Sequence, residues 1–354
     1  MAQCAVCGQR SPLIASSLAL CVDCIRQYPE QALPLATEVH HRSRSEFGLP
    51  EAPPQSGPPA KSCHLCSNEC RVAEGETGYC GLRCNENGAL RHLAGTPTKG
   101  LLHWYHDPLP TNCVADWVCE GHRHFGCNNL AVFYGACTFN CLSCQNWHYR
   151  QICPLKSGLS AVEVTACADE RTLCVCCFGG DPTPQIAHAL ATSRLLAARS
   201  LRICWETNGS MHPALPDQMI ELSLRSGGCV KFDLKAWDRS LHVALTGSTN
   251  EQTLRNRARV ASQAYRRPDP PLLIASTLLV PGYVDMTEIR QLAALIAGLD
   301  RTIPYALLGF HPHFCMHDLP MTSVRHEEDA LAAAQAAGLS NVRIGNRHLL
   351  SRAY

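Results

Sequence analysis

From residue 130 onward the chain alternates short apolar runs with amphipathic stretches. The runs cover residues 130–135, 173–178, 201–205, 229–234, 272–280 and 305–310. Near-continuous apolar runs of this length read as strands buried on both faces, the pattern of a parallel sheet. Between them, helical periodicity occurs near residues 160–170, 184–199, 213–226, 250–266 and 286–299, and a further helix is predicted near 325–337. Strands alternating with helices predict an α/β fold. Six such units predict an open, partial (β/α)6 barrel in preference to a closed eight-stranded one.

Before residue 130 that pattern is absent. Residues 1–28 read as a small Cys-rich head. Residues 29–60 hold seven prolines, lack apolar periodicity, and read as a Pro-rich linker. Residues 61–129 read as a second Cys-rich module followed by an irregular lead-in rich in His, Trp and Cys. The expected division is therefore head 1–28, linker 29–60, module and lead-in 61–129, and barrel with a C-terminal extension 130–354.

Charge removes some classes of function. With 31 Lys and Arg against 30 Asp and Glu, the net charge is +1, and nothing argues for a general grip on nucleic acid or an anionic membrane. No apolar run approaches the roughly 20 residues that span a bilayer. No export signal is visible, so the expected compartment is the cytoplasm. There, 23 cysteines point to metal or redox chemistry, not disulfides.

The first barrel strand runs into Cys137, Cys141 and Cys144, a C-x3-C-x2-C loop at a strand's C-terminal end, where barrel active sites sit. Three thiolates can hold three irons of a [4Fe–4S] cluster and leave the fourth open to a substrate or cosubstrate. A zinc site, or a cluster completed by another Cys, are the alternatives for the motif alone. Further strand ends carry polar or glycine signals. They are Gly179-Gly180-Asp181-Pro182, then Glu206-Thr207-Asn208, then Asp233 and Lys235 within Lys231-Phe-Asp-Leu-Lys235, and His311 in Phe310-His-Pro-His313. Glycines at a strand end let a ligand approach the backbone closely.

With these motifs the sequence resembles the radical SAM superfamily, closest to the pyruvate formate-lyase activating enzyme group and the radical SAM protein of the AmmeMemoRadiSam system. Other shared features are Cys63-His-Leu-Cys66-x3-Cys70 with Gly78-Tyr-Cys80, Cys144-Gln-Asn-Trp147, Leu279-Val-Pro-Gly282 and Leu319-Pro320. The resemblance implies that Cys137, Cys141 and Cys144 ligate the cluster and that S-adenosylmethionine chelates the open iron. It also implies that Gly179, Gly180, Asp181 and Pro182 contact the methionine amine, with Asp in place of the usual Glu. Glu206, Thr207, Asn208, Asp233, Lys235 and His311 are implied near the cosubstrate. An external donor such as flavodoxin or ferredoxin would reduce the cluster. Cleavage would give a 5′-deoxyadenosyl radical that abstracts hydrogen from a protein, peptide or small molecule, whose identity the sequence does not give.

The remaining cysteines fall into groups. Cys4-x2-Cys7 and Cys21-x2-Cys24 read as a zinc ribbon. Cys63, Cys66, Cys70 and Cys80 make a four-thiolate set for zinc or a second iron–sulfur cluster. Cys113, Cys119, His122, His124 and Cys127 form a looser group. Cys174, Cys176, Cys177, Cys204 and Cys229 lie in predicted strands and read as core. The alternative for the whole chain is a non-catalytic zinc or iron–sulfur module that contacts protein or nucleic acid.

Overall fold

The computed structural model describes residues 1–110, 113–151, 153 and 156–354. Its centre is one eight-stranded sheet. The strands are β1 (Leu102–Pro108), β2 (Asn128–Tyr134), β3 (Thr172–Phe178), β4 (Arg202–Thr207), β5 (Val230–Asp233), β6 (Leu273–Leu279), β7 (Tyr305–Gly309) and β8 (Val342–Gly345). They lie side by side in sequence order. Strands β2 to β8 are parallel, and β1 runs antiparallel to β2.

The six apolar runs are β2 to β7. The sheet is larger than six units because β1 and β8 add an edge each. Both are half-exposed and carry polar residues, so neither shows an apolar run. Side chains alternate across each strand. On β2, Leu130, Val132 and Tyr134 join the main core, whereas Phe133 packs with the loop that follows the strand.

The crossover helices are α3 (Ala161–Ala166), α4 (Ile186–Ala198), α5 (Pro216–Ser226), α6 (Arg239–Thr246), α7 (Glu251–Ala261), α8 (Met286–Ala297) and α9 (Val324–Ala336). Their ends follow local chemistry. Ser160 and Glu163 form a capping box on α3, and the Asp238 and Asp285 side chains cap α6 and α8.

The N-terminal region differs from the expected separate head and flexible linker. Helix α1 (Val22–Gln27) is followed at once by α2 (Pro29–Ser45), which occupies most of the expected linker. Pro29 stands at the first helical position, where its missing N–H costs nothing. Residues 46–60 contain no helix or named strand. The head is built into the barrel's flank. Ala15 N donates to the Tyr283 hydroxyl (3.0 Å), which donates to Leu20 O (3.0 Å), and Arg26 pairs with Asp285 (2.7 Å) and Glu288 (2.8 Å). Ile14, Leu18, Leu20 and Ile25 belong to the same buried core as the sheet and its helices.

The module that follows consists of two small ribbons, Lys61–Ser62 with Arg71–Val72 and Arg83–Glu86 with Ala89–His92. It sits against the ends of β2, β3 and β4. Asn68 Nδ2 donates to Thr138 O (2.8 Å), Arg83 Nη2 to Pro184 O (2.9 Å), and Ser67 N to Ser210 O (2.9 Å).

Candidate active site

The loop after β2 carries Cys137, Cys141 and Cys144, and its shape is set by neighbours far away in sequence. Asn140 N donates to Thr246 O (2.8 Å) and Leu142 N to Leu245 O (2.9 Å), which ties the loop to the end of α6. The Asn140 side chain donates to Ser43 Oγ on α2 (2.8 Å) and accepts from the Arg150 guanidinium (2.7 and 3.1 Å). The Tyr149 hydroxyl donates to Phe139 O (3.0 Å). Burial holds the Cys137 thiol well above its ordinary value, and pushes Cys141 up to about 11 against the pull of Lys235.

At the end of β3 the backbone must turn under that loop. Gly179 and Gly180 have φ of +70° and +52°. A β-carbon on Gly179 would meet the Phe133 ring, and one on Gly180 would stand 2.3 Å from Ala136 O. Asp181 is buried, and its carboxylate accepts from Thr183 N, Thr207 Oγ1 and Asn208 N, each at 2.8 Å. Burial pushes this carboxyl above the usual range, against the three hydrogen bonds that hold it down. Asp181 thus clamps the end of β3 to the end of β4. Asn208 Nδ2 donates to Thr138 Oγ1 (2.7 Å) and lies 3.7 Å from Cys137 Sγ. After β5, Lys235 pairs with Asp233 Oδ2, while the buried Asp233 Oδ1 has no hydrogen-bond partner.

One cavity of about 180 Å³ gathers these groups. Cys137, Cys141, Cys144, Gly179, Gly180 and Asp181 line it, together with Glu206, Thr207, Asn208, Asp233 and Lys235. Pro182 and His311 do not line it. His311 Nδ1 instead lies 3.0 Å from His313 Nδ1. Glu206, Phe178, Leu308 and Gln145 also line a second, larger cavity of about 640 Å³, bounded by Tyr105 and Asp107 of β1 and by Arg343 of β8.

The floor of the larger cavity holds Lys231, which no motif in the sequence singles out. Lys231 is 1% exposed, and its ammonium meets Glu206 Oε2 (3.1 Å), Cys113 Sγ (2.9 Å) and Cys176 Sγ (3.0 Å). Those groups hold it protonated against burial. Its signal is the polar alternation Lys231, Asp233, Lys235, which puts Lys231 and Asp233 on one face of β5 and continues just past its end. Cys113 and Cys119 pack with Cys204 and Cys229 below it. His122 and His124 do not join them; His122 Nδ1 lies 2.6 Å from Cys119 O, and His124 faces Glu120.

In the head, Cys4, Cys7, Cys21 and Cys24 converge. Among the described residues they are the one group of three or more His, Cys, Asp or Glu whose ligand atoms all lie within 4.8 Å of one another. The Cys7 and Cys21 sulfurs are 3.8 Å apart. A tetrahedral ion with metal–sulfur bonds of about 2.3 Å requires sulfurs about 3.8 Å apart. Backbone N–H groups of Cys7, Cys21 and Val6 hold Cys4 down to about 6 against its burial.

Residues 131–296 match the family model of the radical SAM superfamily. This chain carries a radical SAM domain. An uncharacterized protein of Methanocaldococcus jannaschii is 27% identical over 312 residues, covering 80% of each chain. The isethionate sulfite-lyase activating enzyme of Oleidesulfovibrio alaskensis is 30% identical over 169 residues, which is 45% of this chain and 50% of that enzyme. A putative glycyl-radical enzyme activating enzyme of M. jannaschii is 25% identical over 215 residues, 61% of this chain and 74% of its own length. The chain is a radical SAM enzyme, and the alternative of a non-catalytic binding module is set aside. The radical SAM family implies a [4Fe–4S] cluster and S-adenosylmethionine. No helix among the described residues is long and apolar enough to cross a membrane.

Proposed function

We propose that this radical SAM enzyme holds its cluster on Cys137, Cys141 and Cys144, cleaves S-adenosylmethionine reductively, and takes a hydrogen atom from a protein or peptide substrate. One observation carries the reading. A single cavity is lined at once by three loop thiols, two bare glycines and the charged ends of β4 and β5.

The donors fit the group. Among the described residues no fourth thiol lines the cavity, so one iron of a four-iron cluster would lack a protein ligand. The three sulfurs are not among those within single-ion spacing of one another. Arg150, 3% exposed, forms no ion pair with a carboxylate among the described residues and offers positive charge beside the thiolates.

Bound there, cluster and cosubstrate supply an electron to the sulfonium and a 5′-deoxyadenosyl radical. The chain's residues bind and orient. Gly179 and Gly180 let the end of β3 pass close under the Cys loop, and their backbone lines the cavity for the methionyl end. Asp233 Oδ1 is a free acceptor for its amine, and Lys235 a donor for its carboxylate. Thr207 and Asn208 are held by Asp181, so the clamp positions the β4 side of the site. Glu206 stands where the two cavities meet. The larger cavity lies between the sheet's two edge strands and receives the substrate. The activating-enzyme relatives support a protein as that substrate. A one-electron donor such as flavodoxin or ferredoxin supplies the reducing equivalent. Zinc occupies the four-thiol head, and a second metal centre, zinc or iron–sulfur, occupies Cys63, Cys66, Cys70 and Cys80. The cytoplasm, with its reducing poise, suits this many free thiols.

Anaerobic reduction with S-adenosylmethionine should yield 5′-deoxyadenosine. Changing Cys137, Cys141 and Cys144 together to Ala should abolish it while the head keeps its zinc. Cleavage that survives in the triple variant overturns the assignment.

A further inference from the structure

We propose that Cys63, Cys66, Cys70 and Cys80 hold a second iron–sulfur cluster, not zinc, and that it hands electrons to the cluster on the barrel loop. The relay rests on the loop assignment made above; the identity of the second centre does not.

Spacing separates the two kinds of site within this one molecule. The head draws its sulfurs to the distance a single tetrahedral ion demands. Cys63, Cys66, Cys70 and Cys80 line one cavity together, yet no three of them reach that spacing. Four thiols that face one cavity at wider separation suit a cluster in which each thiolate takes a different iron. The loop thiols likewise fall outside single-ion spacing, although their cavity is about 180 Å³ against about 10 Å³ between Cys63, Cys66, Cys70 and Cys80. Cys84 stays outside, its thiol against Glu86 Oε1.

Charge calls for an anionic centre on these sulfurs, whichever metal it holds. Arg83 and Arg44 are 3% and 1% exposed, and among the described residues neither forms an ion pair with a carboxylate. Arg83 spends its donors on Leu82 O, Ala94 O and Pro184 O. Arg44 donates to Pro50 O and Tyr79 O and lies over the Tyr79 ring. A buried charge without a counter-charge is costly. The anions within reach are the thiolates: Arg83 lines the cavity of all four, and Arg44 lines a small cavity with Cys80. An anionic centre on these four sulfurs supplies the missing counter-charge.

Position gives the centre its role. Its cavity is walled by Thr138 and Pro184, which follow Cys137 and Pro182 closely in sequence. Cys80 and Cys137 line a common small cavity with Arg44, Tyr79 and Arg150. One layer of side chains therefore separates the two thiol sets. Cys63, Cys66 and Cys80 are each half-buried, which leaves an edge for a donor. The step balances as electron transfer alone. A low-potential one-electron donor reduces the second cluster from 2+ to 1+. That cluster returns to 2+ as the loop cluster goes from 2+ to 1+, and no atom moves.

The test uses the full chain with Cys137, Cys141 and Cys144 changed to Ala, reconstituted anaerobically with iron and sulfide. About four irons should remain per chain, with a paramagnetic signal after dithionite reduction. Adding Cys66→Ser and Cys70→Ser should remove both while the head's zinc stays. Zinc in place of iron in the first variant overturns the proposal. Should the combined variant fail to fold, the unaltered chain decides: about eight irons support two clusters, and about four overturn them. For the relay, Cys66→Ser/Cys70→Ser alone should keep the loop cluster's iron but slow its reduction by reduced flavodoxin more than tenfold. An unchanged rate overturns the relay. Failure of the loop assignment shows separately, as 5′-deoxyadenosine formation by the triple Ala variant.

Discussion

An added β-carbon at Gly180 would stand 2.3 Å from Ala136 O and 2.5 Å from Tyr134 O. Those carbonyls begin the Cys loop, so the glycine serves the loop before it serves any ligand. Gly180→Ala should therefore cost iron as well as cosubstrate binding, and its positive φ adds about 1–2 kcal/mol of strain. Iron analysis and 5′-deoxyadenosine formation check this; a variant with full iron and full cleavage sinks it. Asp181 makes a related case. Asp181→Asn replaces one acceptor oxygen by a donor, which faces either Thr183 N or the Thr207 and Asn208 donors. The expected loss is about 1–3 kcal/mol of stability, read as a lower Tm, with weaker cosubstrate binding. The sequence marked both residues, but only through a strand-end glycine signal. It gave no sign that the carboxylate is consumed in joining two strands, because that bond links residues 26 positions apart.

Helix α2 illustrates what the pattern hid at the level of elements. Its prolines read as a linker, yet Ala32, Ala36 and Val39 recur at helical spacing and are buried. The signal is weak because the residues are small. The helix meets α6 through His40, whose Nε2 lies 3.1 Å from Ala244 O, and supports the Cys loop through Asn140. Burial lowers His40 from 6.5 to about 4. Between those values the unfolded chain binds a proton that the folded chain refuses. Stability is therefore complete above pH 6.5 and falls as pH drops toward 4. His40→Gln removes the titration. Relative to the variant, the natural chain should lose about 2 kcal/mol between pH 7 and pH 5. Denaturant unfolding of both proteins at the two pH values measures it, and the comparison cancels acid effects on the metal sites. An equal response in both would refute the assignment.

Across the whole molecule, the barrel was legible because buried parallel strands print as apolar runs. The edge strands β1 and β8 were not, because half-exposed strands mix polar and apolar residues. The site was legible where it is local, in the Cys triplet and the strand-end motifs, and illegible where it is assembled from afar, as at Lys231 with Cys113 and Cys176. The head is the largest departure. A chain beginning at Lys61 loses α2, the Arg26 pairs and the core residues Ile14, Leu18 and Leu20. It also loses the Ser43 support of the Cys loop. Such a truncation should fail to retain the iron proposed for the loop, and chelating the metal proposed for the head should lower the Tm of the whole chain in a single transition. A stable, iron-loaded truncation, or a separate low-temperature transition for the head, would contradict this.

The strands' sequence order bears on how the protein is made. Each strand from β2 onward finds its neighbour already synthesised, so the sheet can extend from one edge as the chain leaves the ribosome. The head cannot finish on that schedule. Its seat lies at Tyr283, Asp285 and Glu288, and the turn at Gly282 admits Leu13 O only because no β-carbon is there. At 5–20 residues per second, roughly 15–55 s pass between making residue 15 and making its seat. For that interval the head has exposed apolar residues and four thiols, and no barrel to rest on. Metal capture by the nascent head would then serve as a holding device, keeping it in shape until its seat is made.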